Sequence, residues 1–341
     1  MSEPRTMGAM VYGPGPDIRE VRRPVPEPAD GEVRVRIGVG GINPADWRNR
    51  RRYTGDEPVV PLQDGAGVVD AVGPGVDATR VGERVWLWET ARQRSGGCAQ
   101  KLVVVPADRA VPLPADVGLD VGAGLGVPAV TAHRCLTVGE GGPERLAPKA
   151  LDGRTVLVAG GAGAVGHAAI QLARWSGATV IATVSTADKA ALAEAAGAHH
   201  VVRYRDGDAG EVVRGLAPDG VDLVVELAPD QNTELDLRVL APGGTIAVYA
   251  GGAAAFPVDL GSSLGANARW QFVSIFTMAA RAKEAAIAAV TEAVAAGVLG
   301  VGPEAGLPVH HYPLADLGRA FEAVEQGAVG KVLVDVGPEL G

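Results

Sequence analysis

The sequence predicts an α/β protein of two domains, one mostly β and one a doubly wound parallel sheet. Three observations predict it. At 341 residues the chain exceeds what one hydrophobic core usually supports. Residues 1–124 read as short β segments punctuated by Gly and Pro. From about residue 128 the rhythm changes to strand followed by helix, which is how parallel strands are connected.

The first region contains "GAMVYG", "GEVRVRIGVGGIN", "GAGVVDAVGPG", "GERVWLW" and "AQKLVVVPADRAVPLP", the pattern of an antiparallel, partly closed sheet. The second alternates: strand "TVLVAG", helix "AVGHAAIQLARWSG", strand "TVIATV", helix "ADKAALAEAAGA", then "HHVVRY", "VDLVVEL", "TELDLRVLAPGG" and "TIAVYAG". An alanine-rich helix, "RAKEAAIAAVTEAVAAG", follows, then "HHYPLADLGRAFEAVEQG" and a final strand, "KVLVDV", able to return to the first domain. The expected boundaries are 1–124, completed by 281–341, for the β domain and 125–280 for the parallel-sheet domain.

Composition narrows the function classes. With 47% hydrophobic and 21% charged residues the chain reads as globular. Forty acidic against thirty-one basic residues give a formal net charge of −9, which speaks against general nucleic-acid binding. The opening "MSEPRTMGAMVYG" lacks a signal-peptide layout, and no apolar run reaches about 18 residues, so a cytoplasmic address without a membrane partner is expected. Cys98 and Cys135 lie far apart and are read as reduced thiols.

The segment "TVLVAGGAGAVG" carries the chemistry. Gly161, Gly163 and Gly166 fit G-x-G-x-x-G between a strand and a helix. Gly161 is expected to form the tight turn, Gly163 to let backbone approach a pyrophosphate, and Gly166 to let helix pack on strand. Ala164 and Val165 open the helix, whose free N–H groups stabilise phosphates. An NAD site places an acid about 20 residues onward. Here the second strand ends in Thr183, Val184 and Ser185, with Lys189 close behind. Hydroxyls and an ammonium attract a 2′-phosphate, so NADPH is the expected cofactor.

With "GINPAD" at 41–46, "DGAGVVDAVGPGVDATRVGERV" at 64–85, "VPAVTAHRCL" at 127–136, the glycine turn and "GKVLVDV" at 330–336, the chain resembles the medium-chain dehydrogenase/reductase superfamily. More narrowly it is similar to the zinc-free quinone oxidoreductase branch that includes zeta-crystallin. The resemblance implies a GroES-like catalytic domain, a Rossmann nucleotide domain, and a homodimer joined through edge strands of the nucleotide domains. It implies that Ser185, Lys189 and Tyr204, helped by Arg203 or Arg205, surround the 2′-phosphate. It further implies that Ala250, Gly251 and Gly252 lie by the nicotinamide ribose, Phe276 and Thr277 by the nicotinamide amide, and Lys331 near the cofactor.

Zinc members of that superfamily hold the metal through Cys, His and a later Cys or acid, because alkoxide formation needs a Lewis acid. Here Asn43 stands where the cysteine is expected and Gln63-Asp64 replaces the His-Glu pair, so no metal is expected. Hydride transfer to a quinone or an α,β-unsaturated carbonyl needs positioning and a place for developing negative charge. Tyr53 is the candidate proton or hydrogen-bond donor, Asn43 the donor to a carbonyl or ribose, and Trp47 a wall of the substrate pocket. Each has a plainer reading, as loop anchor, turn residue and core aromatic. The run Arg48, Arg50, Arg51, Arg52 is either solvated surface or an attractor for an anionic substrate tail. Beside the enone or quinone reductase stand two alternatives: an enoyl-thioester reductase, and a non-catalytic NADPH sensor or partner-binding protein.

Overall fold

The computed structural model describes residues 5–13, 17–94 and 96–337. The chain divides into two compact units, Met1–Val127 with Val309–Gly341, and Pro128–Pro308.

The first unit opens with an antiparallel pair, β1 (Thr6–Val11) and β2 (Arg19–Pro24). There follow β3 (Glu32–Gly41), α1 (Pro44–Arg52), β4 (Asp64–Val72), β5 (Arg84–Leu87), β6 (Leu102–Pro106), β7 (Ala110–Pro112) and the start of α2 (Leu119–Leu136). Period-two alternation on β3 sends Val33, Val35 and Ile37 into the core, where they meet Val103 and Val105 of β6. Pro128 interrupts α2. The N–H of the preceding Val127 bonds Asp64 instead, at 3.0 Å to each carboxylate oxygen.

The second unit alternates β8 (Thr155–Ala159), α3 (Ala164–Trp175), β9 (Thr179–Val184), α4 (Ala187–Ala195), β10 (His200–Arg203), α5 (Ala209–Leu216), β11 (Val221–Glu226), α6 (Pro229–Val239), β12 (Leu240–Val248), α7 (Leu260–Gly265), β13 (Arg269–Phe272) and α8 (Ala280–Ala295). Its six-stranded sheet is parallel, in the order β10-β9-β8-β11-β12-β13. The inner strands are apolar on both faces, as a sheet covered by helices requires: all of Val156, Leu157, Val158 and Ala159 are buried. The order reverses between β8 and β11, the point at which such sheets bind dinucleotides.

The chain then returns to the first unit through β14 (Val309–Pro313), α9 (Leu317–Glu325) and β15 (Lys331–Asp335). β15 pairs antiparallel with β3 and parallel with β14, completing the order β14-β15-β3-β4-β5-β7.

Two expectations need correction. Residues 281–308 belong to the second unit, so the return begins at Val309. The cause is local bonding: Ala305 O pairs with His167 Nε2 at 2.7 Å, and Gly300 N donates to Gln171 Oε1 at 3.4 Å. The fifth strand of the parallel sheet starts at Leu240, not Thr245: Leu240 pairs with Val221, and the register then shifts across 241–244 before Thr245 pairs with Leu223. Among the described residues no helix is long and apolar enough to cross a membrane.

Candidate functional site

Each unit contributes one constellation. In the second unit the sequence-predicted residues gather at the carboxyl ends of the parallel strands. The glycine turn follows β8. Its left-handed residue is Gly160, φ +69°, rather than Gly161. Gly160 N and Gly161 N both donate to Thr183 O, at 3.0 and 3.3 Å, which ties the turn to β9. A Cβ on Gly161 would lie 2.9 Å from Ala182 Cβ and 3.0 Å from Ile170 Cδ1, so this glycine serves close packing. A Cβ on Gly166 would lie 2.3 Å from Gly160 O, so helix and turn touch through bare backbone, as expected. Gly163 differs. Its Cβ would meet only Gly160 O at 3.5 Å, an ordinary contact, and it is exposed as the N-cap of α3. The protein's own packing does not demand a glycine there; the space in front of it is free for a ligand.

Ser185, Lys189 and Tyr204 all follow the carboxyl ends of β9 and β10. Ser185 follows the end of β9, and Thr186 caps α4 by accepting from Lys189 N. Tyr204 N donates to Val184 O at 3.1 Å, which sets Tyr204, 47% exposed, beside Ser185. Arg203 pairs with Asp206 at 2.5 Å. Asp188, the nearest acid, is exposed in the first turn of α4. Ala250, Gly251 and Gly252 follow β12, and Phe276 and Thr277 lie in a 3-10 turn after β13. All sit at the same end of the sheet as the glycine turn, and Lys331 belongs to the first unit.

In the first unit a buried polar cluster surrounds the start of α1. Asn43 precedes Pro44, so its backbone is extended and it caps the helix, while the Asp46 carboxylate reaches back to accept from Asn43 N at 2.8 Å. The Asn43 side chain is drawn elsewhere. Its Nδ2 donates to Asp64 Oδ2 at 2.7 Å and its Oδ1 accepts from Lys331 Nζ at 2.8 Å. Lys331 Nζ stands 3.9 Å from Asp64 Oδ2. Asp46 also accepts from Gln63 N at 3.2 Å. Asn43, Asp46, Asp64 and Lys331 are all 3% exposed or less. Two residues before Asp64, fully buried Leu62 holds φ of 78°, fixed by Thr90 Oγ1 and Cys98 N donating to its carbonyl at 2.7 and 2.9 Å.

Two carboxylates and one ammonium in a dry interior leave one negative charge over. Burial, and then the Asp64 charge, push Asp46 up to about 7. Burial raises Asp64 to about 6 against the pull of Lys331, Asn43 and Val127 N–H. Burial lowers Lys331, opposed by both carboxylates. Tyr12, buried beside them, is pushed up to about 12 by burial, then by Asp46 and Tyr53.

The remaining candidates lie around this cluster. Tyr53 ends α1, packs edge-on against Tyr12 at 5.4 Å and donates its hydroxyl to the Glu57 carbonyl, closing the 53–57 loop. Trp47 packs on the first unit's core, with the Arg48 and Arg51 guanidiniums 5.5 and 5.7 Å from its ring. Arg51 also pairs with Glu325 at 2.6 Å. Asp46 and Tyr12 were missed from sequence; the available signal was N-P-x-D, a helix cap with its acid at the third position.

The cluster does not suit zinc. The oxygens of Asp46 and Asp64 are taken by N–H donors, an ammonium stands where a cation would bind, and among the described residues no three His, Cys, Asp or Glu side chains are grouped to hold a metal.

Comparison with known proteins follows the two units. Residues 29–115 match the family described as "Alcohol dehydrogenase GroES-like domain", and residues 164–292 match "Zinc-binding dehydrogenase". A quinone oxidoreductase of Rattus norvegicus is 32% identical over 241 residues, 69% of each chain. A 2-haloacrylate reductase of Burkholderia sp is 35% identical over 66% of each. The solved structure of mycobacterial Rv1454c complexed with NADPH superposes with a TM-score of 0.79 at 29% identity, covering 96% of this chain and 99% of that one.

Proposed function

Because the chain belongs to the quinone oxidoreductase branch of the medium-chain dehydrogenase/reductase superfamily, we propose that it is an NADPH-dependent, metal-independent reductase of quinones and α,β-unsaturated carbonyls. One observation carries the reading: β9 ends at Val184 with no carboxylate, followed by Ser185, with Lys189 in the first turn of α4 and Tyr204 N bonded to Val184 O. The mycobacterial relative complexed with NADPH supports the nucleotide, and the relative named 2-haloacrylate reductase supports an activated C=C acceptor.

When bound, NADPH supplies a hydride to an electrophilic carbon. The chain's own residues do the rest. Backbone N–H groups at Ala164 and Val165, in the first turn of α3, would hold the pyrophosphate, aided by the helix dipole, whereas the Gly163 N–H is given to Gly160 O at 3.0 Å. Lys189 and Ser185 would hold the 2′-phosphate, with Tyr204 as a further contact. On the acceptor side Asn43 is fixed at both ends of its amide, leaving its second Nδ2 hydrogen to donate to a carbonyl or ribose hydroxyl. Trp47 lines the acceptor site and Tyr53 anchors the loop behind α1.

The edge strand β13 carries exposed Phe272, with Leu260 and Leu264 of α7 also exposed. An unpaired apolar edge of this kind suits pairing with a second copy of the chain, which supports a homodimer.

The test is a panel. NADPH consumption should be catalysed with benzoquinone or methyl vinyl ketone and unaffected by EDTA. Consumption with crotonyl-CoA alone would select the enoyl-thioester reading, and tight NADPH binding without consumption the non-catalytic one.

A further inference from the structure

The mechanism leaves a buried pair of acids in the second unit unused. Glu226, 0% exposed, ends β11, and Asp236, 1% exposed, lies in the last turn of α6. Strand β11 is parallel to β8, so Glu226 stands at the same end of the sheet as the glycine turn. Glu226 Oε1 accepts from the N–H of Ala228, the cap of α6. Asn232 Nδ2 donates to Glu226 Oε1 and Oε2 at 3.1 and 3.2 Å. Asp236 follows Asn232 by one helical turn, on the same face, which brings its carboxyl within hydrogen-bond reach of Glu226.

Neither carboxyl has a cationic partner among the described residues, so a dry site of this kind cannot hold both as anions. Every donor points at Glu226, while Asp236 Oδ2 receives no N–H or O–H. The negative charge therefore belongs to Glu226 and the proton to Asp236. Burial, and then the Glu226 charge, push Asp236 well above the usual carboxylate range. Tyr249 and, on α2, Cys135 are the further titratable groups beside the pair, and burial keeps both neutral.

The pair also supports a loop. Tyr249 N donates to Glu226 O at 3.0 Å, and residues 250–252 follow. Gly252 N donates to Asp230 Oδ1 at 3.4 Å, and a Cβ on Gly251 would touch Pro229 Cδ at 3.8 Å, so this loop rests on the first turn of α6. We propose that Asp236 is a positioning residue for the cofactor site: as a neutral acid it donates to the Glu226 carboxylate, and this clamp holds the first turn of α6 and the 250–252 loop in place for the nicotinamide ribose. The inference rests on the NADPH reading of that loop.

The test uses the full chain. At neutral pH and without nucleotide, the infrared difference between wild type and Asp236→Asn should contain the carbonyl stretch of a protonated carboxylic acid, present only in the wild type. Asp236→Asn keeps an N–H donor toward Glu226, so calorimetry should find NADPH affinity within about twofold of wild type. Asp236→Val keeps the size and removes the donor, and should bind NADPH about tenfold more weakly. Should Asp236→Val not fold, the infrared band and the affinity of Asp236→Asn decide together. No such band, a loss in Asp236→Asn as large as in Asp236→Val, or full affinity in Asp236→Val overturns the inference. A wild type that ignores NADPH yet shows the band refutes the cofactor reading, and with it the role of Asp236 toward the cofactor, while the shared proton stands.

Discussion

Lys331 Nζ lies 2.8 Å from Asn43 Oδ1 although 288 positions separate them in sequence. This bond fixes which way the Asn43 amide faces, and so directs its Nδ2 at Asp64. Removing the ammonium leaves a buried carboxylate pair without its cation. Lys331→Met should destabilise the first unit by about 3–5 kcal/mol in urea denaturation. Adding Asp64→Asn should recover a large share, because the two residues share one network.

The same cluster predicts a pH dependence. Asp46 is raised from 3.8 to about 7 and Asp64 from 3.8 to about 6 in the folded chain. The folded state therefore keeps protons that the unfolded chain releases. Stability is highest below the unfolded value and falls as pH rises through that window. Asp46→Asn keeps an acceptor for the Asn43 N–H and removes the larger titration. Urea midpoints from about pH 5 to about pH 8 should decline in the wild type and much less in the variant.

Gly163 and Gly166 make a matched pair. Gly166→Ala drives a methyl into Gly160 O and should cost about 1–3 kcal/mol of stability. Gly163→Ala meets nothing closer than 3.5 Å and should change stability by no more than about 0.5 kcal/mol. It should nevertheless weaken NADPH binding, because the methyl occupies the approach to the pyrophosphate. Equal NADPH affinity in Gly163→Ala and wild type would remove the turn from the binding site.

Phe272 is 63% exposed on the edge strand and Leu264 is 72% exposed in the helix before it. Phe272→Glu with Leu264→Glu should convert a dimer to monomers in light scattering. A wild-type monomer would refute the edge pairing.

The parallel sheet was legible in sequence because its signals are local: apolar strands, amphipathic helices and a glycine turn within a few residues of each other. That Ser185 and Tyr204 follow neighbouring strands rests on the parallel pairing of β9 and β10. The first unit was less legible. Asn43 reads locally as a turn residue before proline, and nothing nearby announces Lys331 as its partner. Gly161 fits the motif's first position, yet the left-handed φ falls on Gly160, since the motif fixes spacing and not which of two adjacent glycines bends. The helix at 280–295 has a clear period, but periodicity does not say which unit holds the chain after it; the bonds from Gln171 and His167 decide that.

Calorimetric titration of the wild type and Lys189→Ala with NADPH and NADH tests the central claim most directly. NADPH should bind the wild type at least about tenfold more tightly than NADH, and Lys189→Ala should lose most of that preference while NADH affinity stays put. Equal or better binding of NADH by the wild type would contradict the account.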